Sequence, residues 1–191
     1  MIYLKTLLLA IFLLFSHLAL AQDSSDLQSI EQAAEAGDAA AQFQLANLYL
    51  SGTLGTSNPE QALKWYQKSA EGGYTDANIR LAELYIQGLG GSQDFDEAIK
   101  WLQEPATQGV ASAQTALGWA LIMGKRDYQG AAKWFEAAAK QDHGEAVAAL
   151  GSMYYDGTGV ERDLQKSQEL YKKACDLGAQ SGCIYYEQRG N

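Results

Sequence analysis

Few residues in this chain are of types that do chemistry, and their spacing decides against most of the chemistry they could do. Beyond residues 1–21 there is a single histidine, His143, within Gln141-Asp142-His143-Gly144. A Ser-His-Asp or Cys-His nucleophile would have to be built around it, yet no residue nearby reads as an activated nucleophile, so an exposed turn histidine is expected. Cys175 and Cys183 are the two cysteines, and they lack the C-x-x-C spacing of a redox dithiol. A zinc site wants several His or Cys ligands, so no transition metal is expected.

Two further stretches invite a ligand. Asp156-Gly-Thr-Gly-Val-Glu-Arg-Asp163 sets carboxylates around glycines, which suits calcium, but the ligand ladder of an EF-hand loop and its terminal Glu are missing. A turn closed by Asp163 as a helix cap accounts for the same residues. Gly118 to Lys125 faintly echoes a phosphate loop, yet neither Ser nor Thr follows the Lys and no strand precedes it. No cofactor and no metal are implied.

The elements that would position such residues repeat along the chain. AQFQLANLYLSG, ANIRLAELYIQG, AQTALGWALIMG and AVAALGSMYYDG begin at Ala41, Ala77, Ala113 and Ala146, in steps of 36, 36 and 33 residues. Each is followed by a second segment anchored at Trp65, Trp101, Trp134 or Leu170, in steps of 36, 33 and 36, which puts the three missing residues in the loop after Gly124. A fixed period of this size takes precedence over ordinary domain reasoning.

Each half-repeat has helical spacing. Ala41, Leu45, Leu48 and Tyr49 fall at i, i+4, i+7 and i+8, one face of a helix, and Ala62, Trp65, Tyr66, Ser69 and Ala70 keep the same rhythm. Gly52, Gly88, Gly124 and Gly157 are expected to close the first helices with positive φ. Asn58-Pro59 reads as a cap followed by proline at the first helical position, and Asp94 with Glu97 as a capping box. No alternating run of strand length is present, so sheet content near nil is expected. One helix pair cannot bury both its faces. At roughly 1.5–3 kcal/mol per buried large side chain, only a stack of pairs offsets the ordering entropy. DLQSIEQAAEA from Asp26 and SGCIYYEQ from Ser181 read as incomplete repeats that cap the ends.

The N-terminus, MIYLKTLLLAIFLLFSHLALA, carries Lys5, an apolar stretch from Leu7 to Phe15 and the small-residue pattern Ala19-Leu20-Ala21. This predicts a signal peptide over 1–21, cut after Ala21, with residues 22–191 as one exported domain that has no stable membrane insertion. With 14 Lys+Arg against 23 Asp+Glu, the surface repels phosphate backbones, which argues against nucleic acid and anionic membranes as partners.

A helix pair of about 36 residues with A-x-x-x-L-[AG]-x-x-Y-x-x-G, then A-x-x-W-[YFL] and a closing Ala and Gly, resembles the Sel1-like repeat, a relative of the tetratricopeptide repeat. The resemblance runs from about Asp26 to Tyr186. It implies an all-α, right-handed α-solenoid of antiparallel helix pairs, with repeats at 41–76, 77–112, 113–145 and 146–181. The segment from Cys175 to Cys183 resembles the bacterial cysteine-rich branch of the family, where a second helix is bonded to the first helix of the next repeat. That likeness implies a Cys175–Cys183 disulfide; a turn between the two helices can bring their Cα atoms into range. Closing so short a loop adds on the order of 2–3 kcal/mol.

Two positions depart from the pattern. Pro105 replaces the Ser69, Ala138 and Ala174 of the other repeats, and its ring should disturb the last turn of its helix and free the Trp101 carbonyl. Trp119 replaces Asn47, Glu83 and Ser152. Some cysteine-rich members are described as weak β-lactamases, but the S-x-x-K signature of a serine β-lactamase is not visible.

The resemblance and architecture together imply a scaffold without catalysis, periplasmic or secreted and monomeric, that binds a protein or peptide on its concave face. If the first helix of each repeat lines that face, Gln44, Asn47, Arg80, Glu83, Trp119 and Ser152 are the candidate contacts, because they vary while the core positions hold. Trp119 is foremost, since a Trp in a groove is a common energetic anchor. The competing reading makes these positions solvated surface. Carboxylates from different repeats could also meet in space without leaving a sequence trace, so an envelope hydrolase is the alternative function.

Overall fold

A computed structural model describes residues 26–189; the signal peptide expected at 1–21 lies outside the described residues. Every regular element among the described residues is an α-helix, and none is a strand. The chain forms two compact units, one ending at Tyr74 and the other starting at Thr75.

The first unit holds a helix over 26–35 (α1), α2 (Ala39–Ser51) and α3 (Pro59–Glu71). Asp38 caps α2 by accepting the Ala41 N–H at 2.8 Å, and Gly52 ends it at φ 78°. Asn58 caps α3 through the Gln61 N–H at 3.1 Å, with Pro59 in the first turn as the sequence predicts. Ala34, Ala41 and Leu45 form the core, with Tyr49, Leu54 and Trp65 packed around them.

The second unit holds α4 (Thr75–Gln87), α5 (Phe95–Thr107), α6 (Ala111–Lys125), α7 (Tyr128–Ala139), α8 (Gly144–Asp156), α9 (Leu164–Asp176) and α10 (Gln180–Arg189). Each helix packs on the next in chain order, and the first helices of neighbouring pairs also meet, α4 with α6 and α8 with α10. Small residues permit this closeness: Ala82, Ala98, Ala106, Ala113 and Ala120 surround Leu102 and Leu117 in one core cluster. Phe135, Leu150 and Met153 sit among Ala131, Ala138 and Ala146 in the next.

One local device closes every pair. The second helix starts on Asn58, Asp94, Asp127 or Asp163, whose side chain accepts a backbone N–H three residues on. The N–H of that same cap residue donates to the carbonyl of Tyr49, Tyr85, Leu121 or Tyr154, at 2.8, 2.9, 3.2 and 2.9 Å. The third loop keeps this bond although it is three residues shorter.

Two expectations need correction, and a third has only a local effect. Gly124 does not close α6, which runs to Lys125; Arg126 takes the left-handed cap at φ 54°, and Gly124 is required because a Cβ there would collide with Phe95. The Asp94–Glu97 box forms by half: Asp94 accepts the Glu97 N–H at 3.0 Å, but Glu97 turns to Lys100 and Trp101 while the Asp94 N–H goes to Tyr85. Pro105 has no N–H to give the Trp101 carbonyl, and its ring does not end α5 early. The helix continues to Thr107, as long as α3, and the Pro105 ring is buried. Its lost N–H falls in the last turn, where the Val110 N–H still reaches the Pro105 carbonyl at 3.0 Å.

Candidate functional site

Trp119 and Ser152, singled out separately in the sequence, meet in one place. With Glu145, Ala149, Ser181 and Tyr185 they line a shallow pocket of about 110 Å³ between α6, α8 and α10. Trp119 stays 42% exposed, held edge-on against the buried Phe135 ring at 5.1 Å between centroids. Glu145 accepts from the Ser181 hydroxyl at 2.8 Å, an exposed bond that ties α8 to α10 beside the pocket. The sequence reading missed Glu145, Ser181 and Tyr185. Helical spacing carries the signal for the first, since Glu145, Ala149 and Ser152 fall at i, i+4 and i+7.

The other candidates are placed differently. Arg80 and Glu83 lie on α4 and pair with each other at 2.9 Å. Gln44 and Asn47 lie on α2 in the first unit, Gln44 exposed and Asn47 accepting from the Tyr66 hydroxyl at 2.6 Å. The Ser152 and Tyr171 hydroxyls share a hydrogen bond at the equivalent place, at 2.9 Å. So Asn47, Trp119 and Ser152 are each matched to the residue that follows the anchor of the second helix, which is Tyr66, Phe135 and Tyr171 in turn. The variation at these positions is partly internal complementarity.

His143 is not an exposed turn histidine. It is half-buried at the start of α8, with Nδ1 3.0 Å from the Thr115 hydroxyl. Asp163 caps α9 as expected through the Lys166 N–H at 2.9 Å. Among the described residues no group of three His, Cys, Asp or Glu could hold a metal, and no helix is long and apolar enough to cross a membrane. Three titrating groups are perturbed, and one of them, the exposed Lys172 ammonium, is raised by its hydrogen bond to Asp176. Burial pushes the Tyr85 phenol above the usual tyrosine value, helped by Glu97 and Asp94, and the Lys166 ammonium is raised by its hydrogen bond to Tyr154.

The disulfide implied by the cysteine-rich likeness is present. Cys175 near the end of α9 is bonded to Cys183 in the first turn of α10, with Cα atoms 4.4 Å apart. A bond of this kind belongs to an oxidising environment outside the cytoplasm.

The comparisons agree with this architecture. Among solved structures, the chain is similar to a protective antigen present in uropathogenic Escherichia coli strains that displays an SLR fold. The likeness is 36% identity and a TM-score of 0.74 over 82% of this chain and 34% of that one, so the chain spans about a third of the antigen's length. A Sel1 repeat protein from Oxalobacter formigenes is 25% identical with a TM-score of 0.69, over 85% of this chain and 74% of that one. An immunity protein from Pseudomonas aeruginosa shares the fold at 24% identity and a TM-score of 0.55, over 83% of this chain and 60% of that one. No curated protein matches. The Sel1 repeat itself matches residues 39–74, 75–110, 111–143 and 144–178, most of the chain, and with its all-helical α-solenoid fold the chain belongs to the Sel1 repeat family.

Proposed function

We propose that the chain is an exported Sel1 repeat scaffold that holds a protein or peptide partner against the face of its second unit that carries Trp119. The observation that supports this most is the pocket where Trp119 and Ser152, from different repeats, come together beside Tyr185. A large aromatic left 42% exposed next to a recess is the kind of anchor that dominates an interface. The approach of α4 to α6 and of α8 to α10 supports reading the first helices as the inner side of this unit. The signal-like N-terminus and the disulfide support periplasmic or secreted placement. The one carboxylate lining the pocket, Glu145, accepts from Ser181, and no observation favours the hydrolase.

The test is chemical crosslinking in the envelope fraction of the source cells, comparing the wild-type chain with Trp119→Ala. A discrete partner captured by the first and lost from the second is expected. Equal capture by both removes Trp119, and with it this face, from the binding surface.

A further inference from the structure

The face around Trp119 has a chemical character that narrows its partner. Met123 follows Trp119 by one helical turn, and both are exposed, at 47% and 42%. Together they make a short apolar ridge on α6. By repeat register, carboxylates stand at corresponding positions of the first helices before and after α6, Asp76 and Glu145, and Glu145 lines the same pocket as Trp119. Asp76 and Glu83 lie on α4, Glu145 and Asp156 on α8, spaced by multiples of a helical turn on the stripe that faces the same way. Arg80 offsets Glu83 at 2.9 Å, and the stripe remains negative, like the chain as a whole.

We propose that the occupant of this face is a basic segment of a partner protein, with a Lys or Arg side chain laid over the Trp119 indole toward Glu145 and an apolar neighbour seated on Met123. This rests on the scaffold reading above. The indole face attracts a cation, and its carboxylate neighbour in the same pocket supplies a second, charge-assisted contact. The pocket, about 110 Å³ and open to solvent, has room for the tip of a long side chain. Charges on both sides of an apolar centre select a segment with the opposite arrangement, basic residues around an apolar one.

The test uses the purified chain and two fluorescein-labelled dodecapeptides of equal Leu content, one with Lys and Arg at the remaining positions and one with Glu there, read by fluorescence anisotropy. The basic peptide is expected to bind and the acidic one not. Its affinity should fall about tenfold on Trp119→Ala, and by a similar factor on Glu145→Lys, an exposed change that leaves the core alone. Binding should weaken as salt is raised. Failure of the basic peptide to bind, equal binding of the acidic peptide, or indifference to both substitutions overturns the inference. If the crosslinked partner still depends on Trp119 in that case, the scaffold reading stands and only the charge assignment falls; if the crosslinked partner ignores Trp119, the scaffold face itself is wrong.

Discussion

Cys183 occupies in α10 the helix position that Gln114 occupies in α6. Gln114 donates from Nε2 to the carbonyl of Ala106 at 3.1 Å, and Gln42 reaches Ala34 in the same way at 3.0 Å. Cys175 stands where Ala106 and Ala34 stand. The disulfide therefore replaces a buried amide-to-carbonyl bond that joins the end of one pair to the start of the next, and at the fourth junction Val147 fills the same place by apolar packing with Ala174 and Ala179.

Reduction, or Cys175→Ala with Cys183→Ala, should lower stability by about 2–3 kcal/mol and expose the amides of α10 to hydrogen exchange before those of α8. Because α10 supplies Ser181 and Tyr185 to the pocket, peptide binding should weaken with it. Cys175→Ala with Cys183→Gln should recover about 1 kcal/mol of the loss by restoring the amide bond of the earlier repeats. A melting temperature that ignores reduction, or a Gln variant no better than the Ala one, contradicts the equivalence.

The pairing of Trp119 with Phe135, against that of Ser152 with Tyr171, predicts a swap. Phe135→Tyr alone places a hydroxyl against the indole in a fully buried site and should cost about 1–2 kcal/mol. Adding Trp119→Ser should return much of it, since the Ser–Tyr bond then forms as it does at 2.9 Å in the next repeat. Chemical denaturation of the two single variants and the double variant measures the coupling, and additive effects would show that the two positions do not read each other.

Much of this fold is legible because its causes are local and periodic. Apolar spacing gave the helix pairs, and Asn58 and Asp163 were readable as caps because a short side chain before a helix has few other uses. What escaped depends on closeness in space. Gly124 reads like Gly52, Gly88 and Gly157, yet only the position of Phe95 shows why it is glycine. The loops hide a similar equivalence: Ser57, Gln93 and Arg162 each bond the carbonyl at one shared helix position, on Leu50, Ile86 and Tyr155, with unlike side chains. In the site, Trp119 was visible as a departure from pattern, whereas Ser181 and Tyr185 join it only because α10 folds back on α8.

Tyr85 makes stability depend on alkaline pH. Its folded pKa is raised, first by burial and then by Glu97 and Asp94, so the fold favours the neutral phenol. That contribution is complete below the unfolded tyrosine value of about 10 and is lost as pH rises through the folded one. Tyr85→Phe should therefore show a shallower loss of stability above about pH 10 than the wild type, measured by urea midpoints across that range. Parallel curves for the two proteins would remove Tyr85 as a source of the dependence.

The third repeat carries both of the non-glycine residues with positive φ among the described residues, Arg126 at 54° and Asp142 at 57°. At the position of Asp142 the other pairs have Gly37, Gly73, Gly109 and Gly178, all left-handed. A side chain with a Cβ is strained there, but Asp tolerates the conformation better than Arg, and Asp142 also pairs with Lys173 at 2.6 Å. Arg126→Gly should thus raise stability by about 1 kcal/mol, and Asp142→Gly by less, because the gain is offset by the exposed ion pair, worth roughly 0–1 kcal/mol. Gly124→Ala, two residues before Arg126, should do the opposite. Helix propensity alone would favour Ala by about 1 kcal/mol, yet the new Cβ must displace Phe95, at about 1–3 kcal/mol. Pairing it with Phe95→Ala separates the effects: the clash disappears, so the double variant should be more stable than the sum of the two single changes implies. If Gly124→Ala instead stabilises the chain, Phe95 yields freely and the close approach is not what keeps glycine at that position.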